Sequence, residues 1–348
     1  MAYTTINKSS LHMNAKLWTG TGSNGNAISG IGFAPDLVWV KNRSGTYDHV
    51  LFDRVRGDNK HVESNNNSAE ENESNTLAFG SDGYSVGTNT LNNSGSNIVG
   101  WNWKANGTGS ANTDGSINTT YTSVNTTAGF SISKYTGTGA TGTVGHGLGV
   151  APSVVIVKQL TGTGDWYSYW KPLGNGNAVR LNTPDASGAT GIWNNASPTN
   201  QGFSVVNNSV VNASGNDYIA YCFAEKTGYS KFGSYTGNGN VNGNFIYTGF
   251  KPSFIIRKRT DDAAAWLMQD NKRPGSNRAV VDSLPTDQNV LRANDSSAEE
   301  YNNELDLLSN GFKLRADNSF GNSSGATYFY MAFGQSLVGT NNIPNNAR

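Results

Sequence analysis

The chain has 348 residues, and its 25 basic and 25 acidic side chains cancel to a formal charge of zero at pH 7. That balance gives no pull toward nucleic acid or an anionic membrane surface, and a partner is expected to be neutral. With 42 glycines and an aromatic share of 11%, the composition is too aromatic for disorder and rich in turn formers, which fits all-β structure built from many short strands.

The start, MAYTTINKSS, lacks the apolar core of a signal peptide, and no run approaches eighteen apolar residues; synthesis in a cytoplasm without membrane insertion is expected. Residues 1–12 are polar and read as an N-terminal arm or docking segment. One stretch then occurs three times: Lys16 to Arg43, Lys134 to Leu160 and Ser234 to Thr260. In each copy a Thr-Gly pair precedes a proline by sixteen residues (Thr19 to Pro35, Thr136 to Pro152, Thr236 to Pro252), and a lysine follows six residues later at Lys41, Lys158 and Lys258. Spacing of that constancy marks an internal repeat.

The proline opens a strand that is apolar on both faces, DLVWVK in the first copy, which predicts a central strand covered on each side. Next comes a more variable, aromatic strand: His49 to Gly57, Trp166 to Gly174 and Trp266 to Gly275. A polar crossover follows. In copies one and three it carries the word Ser68-Ala69-Glu70-Glu71 and Ser297-Ala298-Glu299-Glu300, a serine cap with first-turn glutamates that predicts one or two turns of helix. Each copy closes with a glycine–aromatic strand, a Ser-Gly turn and an apolar strand ending at Trp103, Phe223 or Phe333, which reads as a hairpin.

The fold class expected is therefore all-β, three tandem antiparallel β-sandwiches of jelly-roll or concanavalin-like type, each about a hundred residues long. The boundaries are 13–104, 128–226 and 227–335, with a Gly/Ser/Asn/Thr-rich linker at 105–127 and a C-terminal tail at 336–348. The long first linker predicts a hinge after the first unit and a stiff pair beyond it.

Chemistry-bearing patterns are sparse. The TGTG and TGNG words lack the Gly-Lys-Ser/Thr ending and the strand-to-helix setting of a phosphate loop, so they read as turns. His12, His49, His61 and His146 fall at non-equivalent positions with no metal spacing, and Cys222 sits alone in an apolar strand. No pair of carboxylates recurs among Asp48, Asp53, Asp165, Asp261, Asp262 and Asp270, so no catalytic residue, metal or cofactor is assigned. Trp39, Trp101 and Trp103 read as core. Trp166, Tyr167, Trp170, Trp193, Trp266 and Asp270 lie at strand ends or in polar loops, where flat rings beside hydrogen-bonding groups suit a neutral sugar; packing between units or subunits is the alternative.

The words GFAPDLVWVKNR, DHVLFD and YIAYCFAEKTGYSKFGSYTGNG, with YMAFG and the tail NNIPNNAR, resemble a family of repeat proteins encoded beside tail and structural genes in phages of marine cyanobacteria and other marine bacteria. The resemblance spans nearly the whole chain. It implies a virion component, labelled tail fibre or host-recognition protein, and carries no catalytic residue with it. Three functions follow as expectations. The first is a non-enzymatic receptor-binding protein that adheres to a host cell-surface glycan as a homo-oligomer, a trimer being favoured. The second is a structural decoration, collar or tail-adaptor subunit contacting other virion proteins, and the third a polysaccharide depolymerase.

Overall fold

The computed structural model describes residues 3–273, 288–301 and 304–338. Every named strand pair is antiparallel, and the described residues hold no α-helix, only two short 3₁₀ turns at Ser9–Leu11 and Lys171–Leu173.

One strand order runs three times. In the first unit the large sheet is ordered Met13–Thr19, Asn97–Trp103, Leu37–Asn42, His49–Asp53, Lys60–Glu63, Glu71–Asn72. The third unit repeats it with Ser230–Thr236, Thr327–Gln335, Lys251–Arg259, Leu267–Asp270, Gln288–Arg292 and Glu300–Tyr301. In the second unit, Phe130–Thr136, Asp217–Phe223, Val154–Gln159, Tyr167–Trp170, Asn177–Arg180 and Gly188–Ala189 take the same places. Each unit adds a small sheet: Asn26–Ser29 with Gly83–Val86 and Leu77–Phe79, Gly142–Gly145 with Gly202–Val205, and Phe245–Tyr247 with Gly311–Leu314 and Leu305–Leu308.

The strand after each proline explains how these layers pack. Successive side chains point to opposite faces, and in Leu37–Asn42 all six residues are buried. Val38 and Val40 pack toward the unit's own small sheet with Ile28, Tyr84 and Val86. Leu37 and Trp39 turn the other way, into a cluster that also holds Ile156, Trp166 and Phe223 of the second unit and Phe254, Ile256 and Phe333 of the third. Val155 and Val157, then Ile255, likewise serve private cores. Three clusters thus stay within one unit each, and a fourth draws on all three units. Strands apolar on both faces are what such a double duty requires.

Polar contacts follow the same cycle. Lys41 Nζ donates to the carbonyl of Ser296 in the third unit at 3.0 Å, Lys158 Nζ to Asn67 in the first at 3.4 Å, and Lys258 Nζ to Pro184 in the second at 3.1 Å. Backbone amides repeat the rule. Tyr47 donates to Ser296, Gly164 to Asn67 and Ala264 to Pro184, while Glu299, Glu70 and Ser187 donate back to Arg43, Leu160 and Thr260. The polar crossover of each unit is thus the clasp that holds its neighbour, and the third clasp closes on the first unit.

Several expectations change here. The Ser-Ala-Glu-Glu words form no helix, because their glutamates are recruited to buried arginines: Glu70 lies 3.5 Å from Arg56, and Glu299 lies 2.7 Å from Arg273. Residues 105–127 are no free linker. Asp36 fixes the amides of Ala105 and Gly107, and Ser110–Asn112 and Thr119–Asn125 extend the second unit's large sheet beyond Phe130–Thr136. The hinge therefore has no slack segment to act through. The N-terminal arm is docked as well, with Ile6 in the common core and Ser9 N bonded to Gln335 Oε1 at 2.7 Å. Of the C-terminal tail, Ser336 is buried, and the residues beyond Val338 lie outside those described.

Candidate functional site

The tryptophans expected to face a sugar are sealed. Trp166, Trp170, Trp193 and Trp266 are each at most 1% exposed. Trp166 stacks near Tyr221 and donates Nε1–H to the Glu63 carbonyl of the first unit at 2.8 Å. Trp266 makes the matching bond to the Arg180 carbonyl of the second unit at 3.0 Å. Trp170 lies face to face on Phe329 of the third unit, with ring centroids 4.0 Å apart. Trp193 plugs the second unit's private core between Tyr169 and Phe203, and Tyr167 is half-buried against that core.

Asp270 is also buried, 2.6 Å from Arg273 and accepting from Trp101 Nε1 at 2.9 Å. Burial alone would raise its carboxyl, but the Arg273 charge and those hydrogen bonds outweigh it and hold the group below the usual carboxylate range. By strand register Asp270 corresponds to Asp53 and Trp170. Asp53 pairs with Arg56 and accepts from Tyr221 Oη of the second unit at 2.8 Å. The variable strand is thus variable because each copy meets a different neighbour, and none of its aromatics forms a platform at the surface.

Two other places carry surface chemistry. The first lies on the third unit, where Phe245 and Tyr247 flank the buried Ile246 and stand 45% and 61% exposed. Residues two apart on a strand share one face about 7 Å apart. Tyr3, brought over by the docked arm, is 42% exposed and donates its phenol to the Gly249 carbonyl at 3.2 Å. Partial burial, then the neighbouring Tyr247 phenol, raise the Tyr3 hydroxyl above its ordinary value. The register positions of Phe245 and Tyr247 are held by Ala27 and Ser29 in the first unit and by Thr143 and Gly145 in the second. The word NFIYTG beside NAIS and GTVG was the sequence signal for this ledge.

The second place is a cleft of about 220 Å³ in the first unit, lined by Asp48, Glu63, Glu71, Glu73, His61 and Thr76 among others. Burial, then the charges of Asp48 and Glu71, raise the Glu63 carboxyl, while burial lowers the His61 imidazole. In the second unit Ala178 stands in the register position of His61, in one cluster with Trp193, and Arg180, paired with Asp165 and Asp185, in that of Glu63. Among the described residues no group of three or more His, Cys, Asp or Glu side chains is placed to hold a metal ion, and no helix is long and apolar enough to cross a membrane.

Fold and surface together define an all-β protein of linked sandwiches whose aromatic wealth is spent on internal assembly. The chain belongs to the DUF7483 family, a domain of unknown function, whose family model matches residues 8–336. That match runs through all three units. No curated protein matches the chain.

Proposed function

We propose that the protein is a structural surface component of a phage virion, a single chain that supplies three alike units where an oligomer would use three subunits. The observation that carries this reading is the closure of the clasp from the third unit back to the first, through Lys41 and Ser296. Heterologous contacts that close make rigid, finite bodies. Burial of Trp166, Trp170 and Trp266 against neighbouring units favours a scaffold over adhesion through those rings. The likeness to proteins encoded beside phage tail and structural genes supplies the virion setting, with other virion proteins as partners.

The test is to locate the chain in purified particles by mass spectrometry and electron microscopy. A fixed site with a constant copy number is expected, and particles that lack the protein altogether would overturn the proposal. Release of reducing ends from host polysaccharide by the purified chain would replace it with an enzymatic role.

A further inference from the structure

We infer that the ledge formed by Tyr3, Phe245 and Tyr247 is a saccharide-binding site, one per chain, for an uncharged pyranose glycan. The three units share a frame but not this feature, since Ala27, Ser29, Thr143 and Gly145 stand where Phe245 and Tyr247 do. A surface made to seat a partner of matching threefold symmetry would recur in every unit, and this one does not. Its occupant is a single ligand meeting the third unit alone.

The chemistry of the ledge names the class of that ligand. Two rings on one strand face, with a third beside them, offer apolar area to the C–H face of a sugar. Beside them stand neutral hydrogen-bonding groups, the phenols of Tyr3 and Tyr247, which meet near Gly249. No carboxylate stands across the strand pair from these rings. Phe245 faces Lys313, whose ammonium is already bonded to the Gly243 carbonyl at 2.9 Å, and Tyr247 faces Gly311. Hydroxyls would therefore meet the two phenols and a lysine N–H rather than a carboxylate.

The rings are also held before any ligand arrives. Tyr3 Oη bonds Gly249 O. A Cβ on Gly311 would lie 2.9 Å from the Phe245 ring, so that ring rests directly on backbone. Groups ordered in advance lose little freedom on binding, which is how a shallow site retains affinity.

The inference stands independently of the virion proposal, because it concerns binding by the isolated chain. The experiment passes the purified full-length protein over arrays of neutral and acidic oligosaccharides, with Phe245→Ala and Tyr247→Ala as single and double variants. Retention on neutral glycans is expected, with at least a tenfold loss in the double variant and an unchanged melting temperature, since both side chains are exposed. No retention on any saccharide, or equal retention by the double variant, overturns the inference. So does binding confined to acidic glycans, or a double variant that binds sugar normally but fails to enter particles, which would make the ledge a protein contact.

Discussion

Asp36 shows how a single carboxylate replaces a hinge. It accepts from the amides of Ala105 and Gly107 at 2.6 and 3.0 Å and lies near Arg54, pinning the start of the stretch that a loose linker was expected to occupy. Burial pushes its carboxyl up to about 6 against these favourable contacts. A folded-state value above the ordinary one means that the folded chain binds more protons than the unfolded chain between about pH 4 and 6. This group's contribution is therefore fully present below pH 4 and is lost as pH rises through 6, by up to about 3 kcal/mol for a shift of two pH units. Asp36→Asn, which keeps an acceptor for one amide, should flatten that slope; urea midpoints at pH 4 and pH 7 for both proteins measure it. The recurrent lysines lie at the same scale. Lys41, Lys158 and Lys258 are each lowered to about 8, first by burial, and their carbonyl partners lie in another unit. Sequence spacing announced that these lysines matter. It held no sign of what they touch, because the partner sits in a crossover of another copy.

The opening turn and the closing hairpin were legible as separate repeated words, and the structure joins them. Gly20, Gly137 and Gly237 each exchange a pair of backbone hydrogen bonds with the Ser-Gly turn of their own unit: Gly137 donates to Asn216 and accepts from Gly215, as Gly20 does with Ser96 and Gly95. A buried asparagine completes each joint, with Asn92, Asn212 and Asn322 accepting from the amides of Thr21, Thr138 and Asn238. A Cβ on Gly20, Gly137 or Gly237 would lie 2.0 to 2.2 Å from a backbone carbonyl oxygen. The Thr-Gly spacing recurs because no other residue fits there. Gly137→Ala should cost at least about 2 kcal/mol through overpacking, whereas Gly215→Ala, at φ 79 with open space around it, should cost about 1 kcal/mol through backbone conformation alone. Chemical denaturation of the two variants separates the effects. The alternation in DLVWVK correctly foretold burial on both faces. The crossover misled because a serine followed by glutamates is a helix cap only if those glutamates stay local, and Arg56 and Arg273 claim them instead.

Across the whole molecule, Trp166 and Trp170 carry the lesson about site residues. Their chain neighbours are polar, so local context reads them as exposed; what covers them lies in other units, at Glu63 for Trp166 and at Phe329 for Trp170, which no local pattern encodes. The ledge was missed for the converse reason, since Phe245 and Tyr247 sit in an ordinary strand alternation and only comparison among copies sets them apart. The common core also decides how the chain unfolds. Residues 128–226 expressed alone would expose Trp166, Trp170, Tyr221 and Phe223, and they should remain loosely packed, with collapsed near-ultraviolet dichroism. The full chain should melt in one calorimetric transition with equal calorimetric and van't Hoff enthalpies. Ser9 and Gln335 are in hydrogen-bonding contact, so the two ends of the described chain meet. A circular permutant opened at Lys226-Thr227-Gly228 and rejoined between those ends should fold to the same melting temperature within a few degrees; two separated transitions would contradict the shared core.

The clasp between units is directional, each lysine reaching for the crossover of the copy before it, and three such contacts exhaust the valence of the chain. Nothing in the contact itself distinguishes a crossover in the same polypeptide from one in another. Folded dilute, the chain satisfies itself and cannot polymerise by this route. Renatured at high concentration, a third unit that finds the wrong first unit would knit two molecules into one doubled loop of six, and such exchange would be the characteristic error of a body that closes on its own tail.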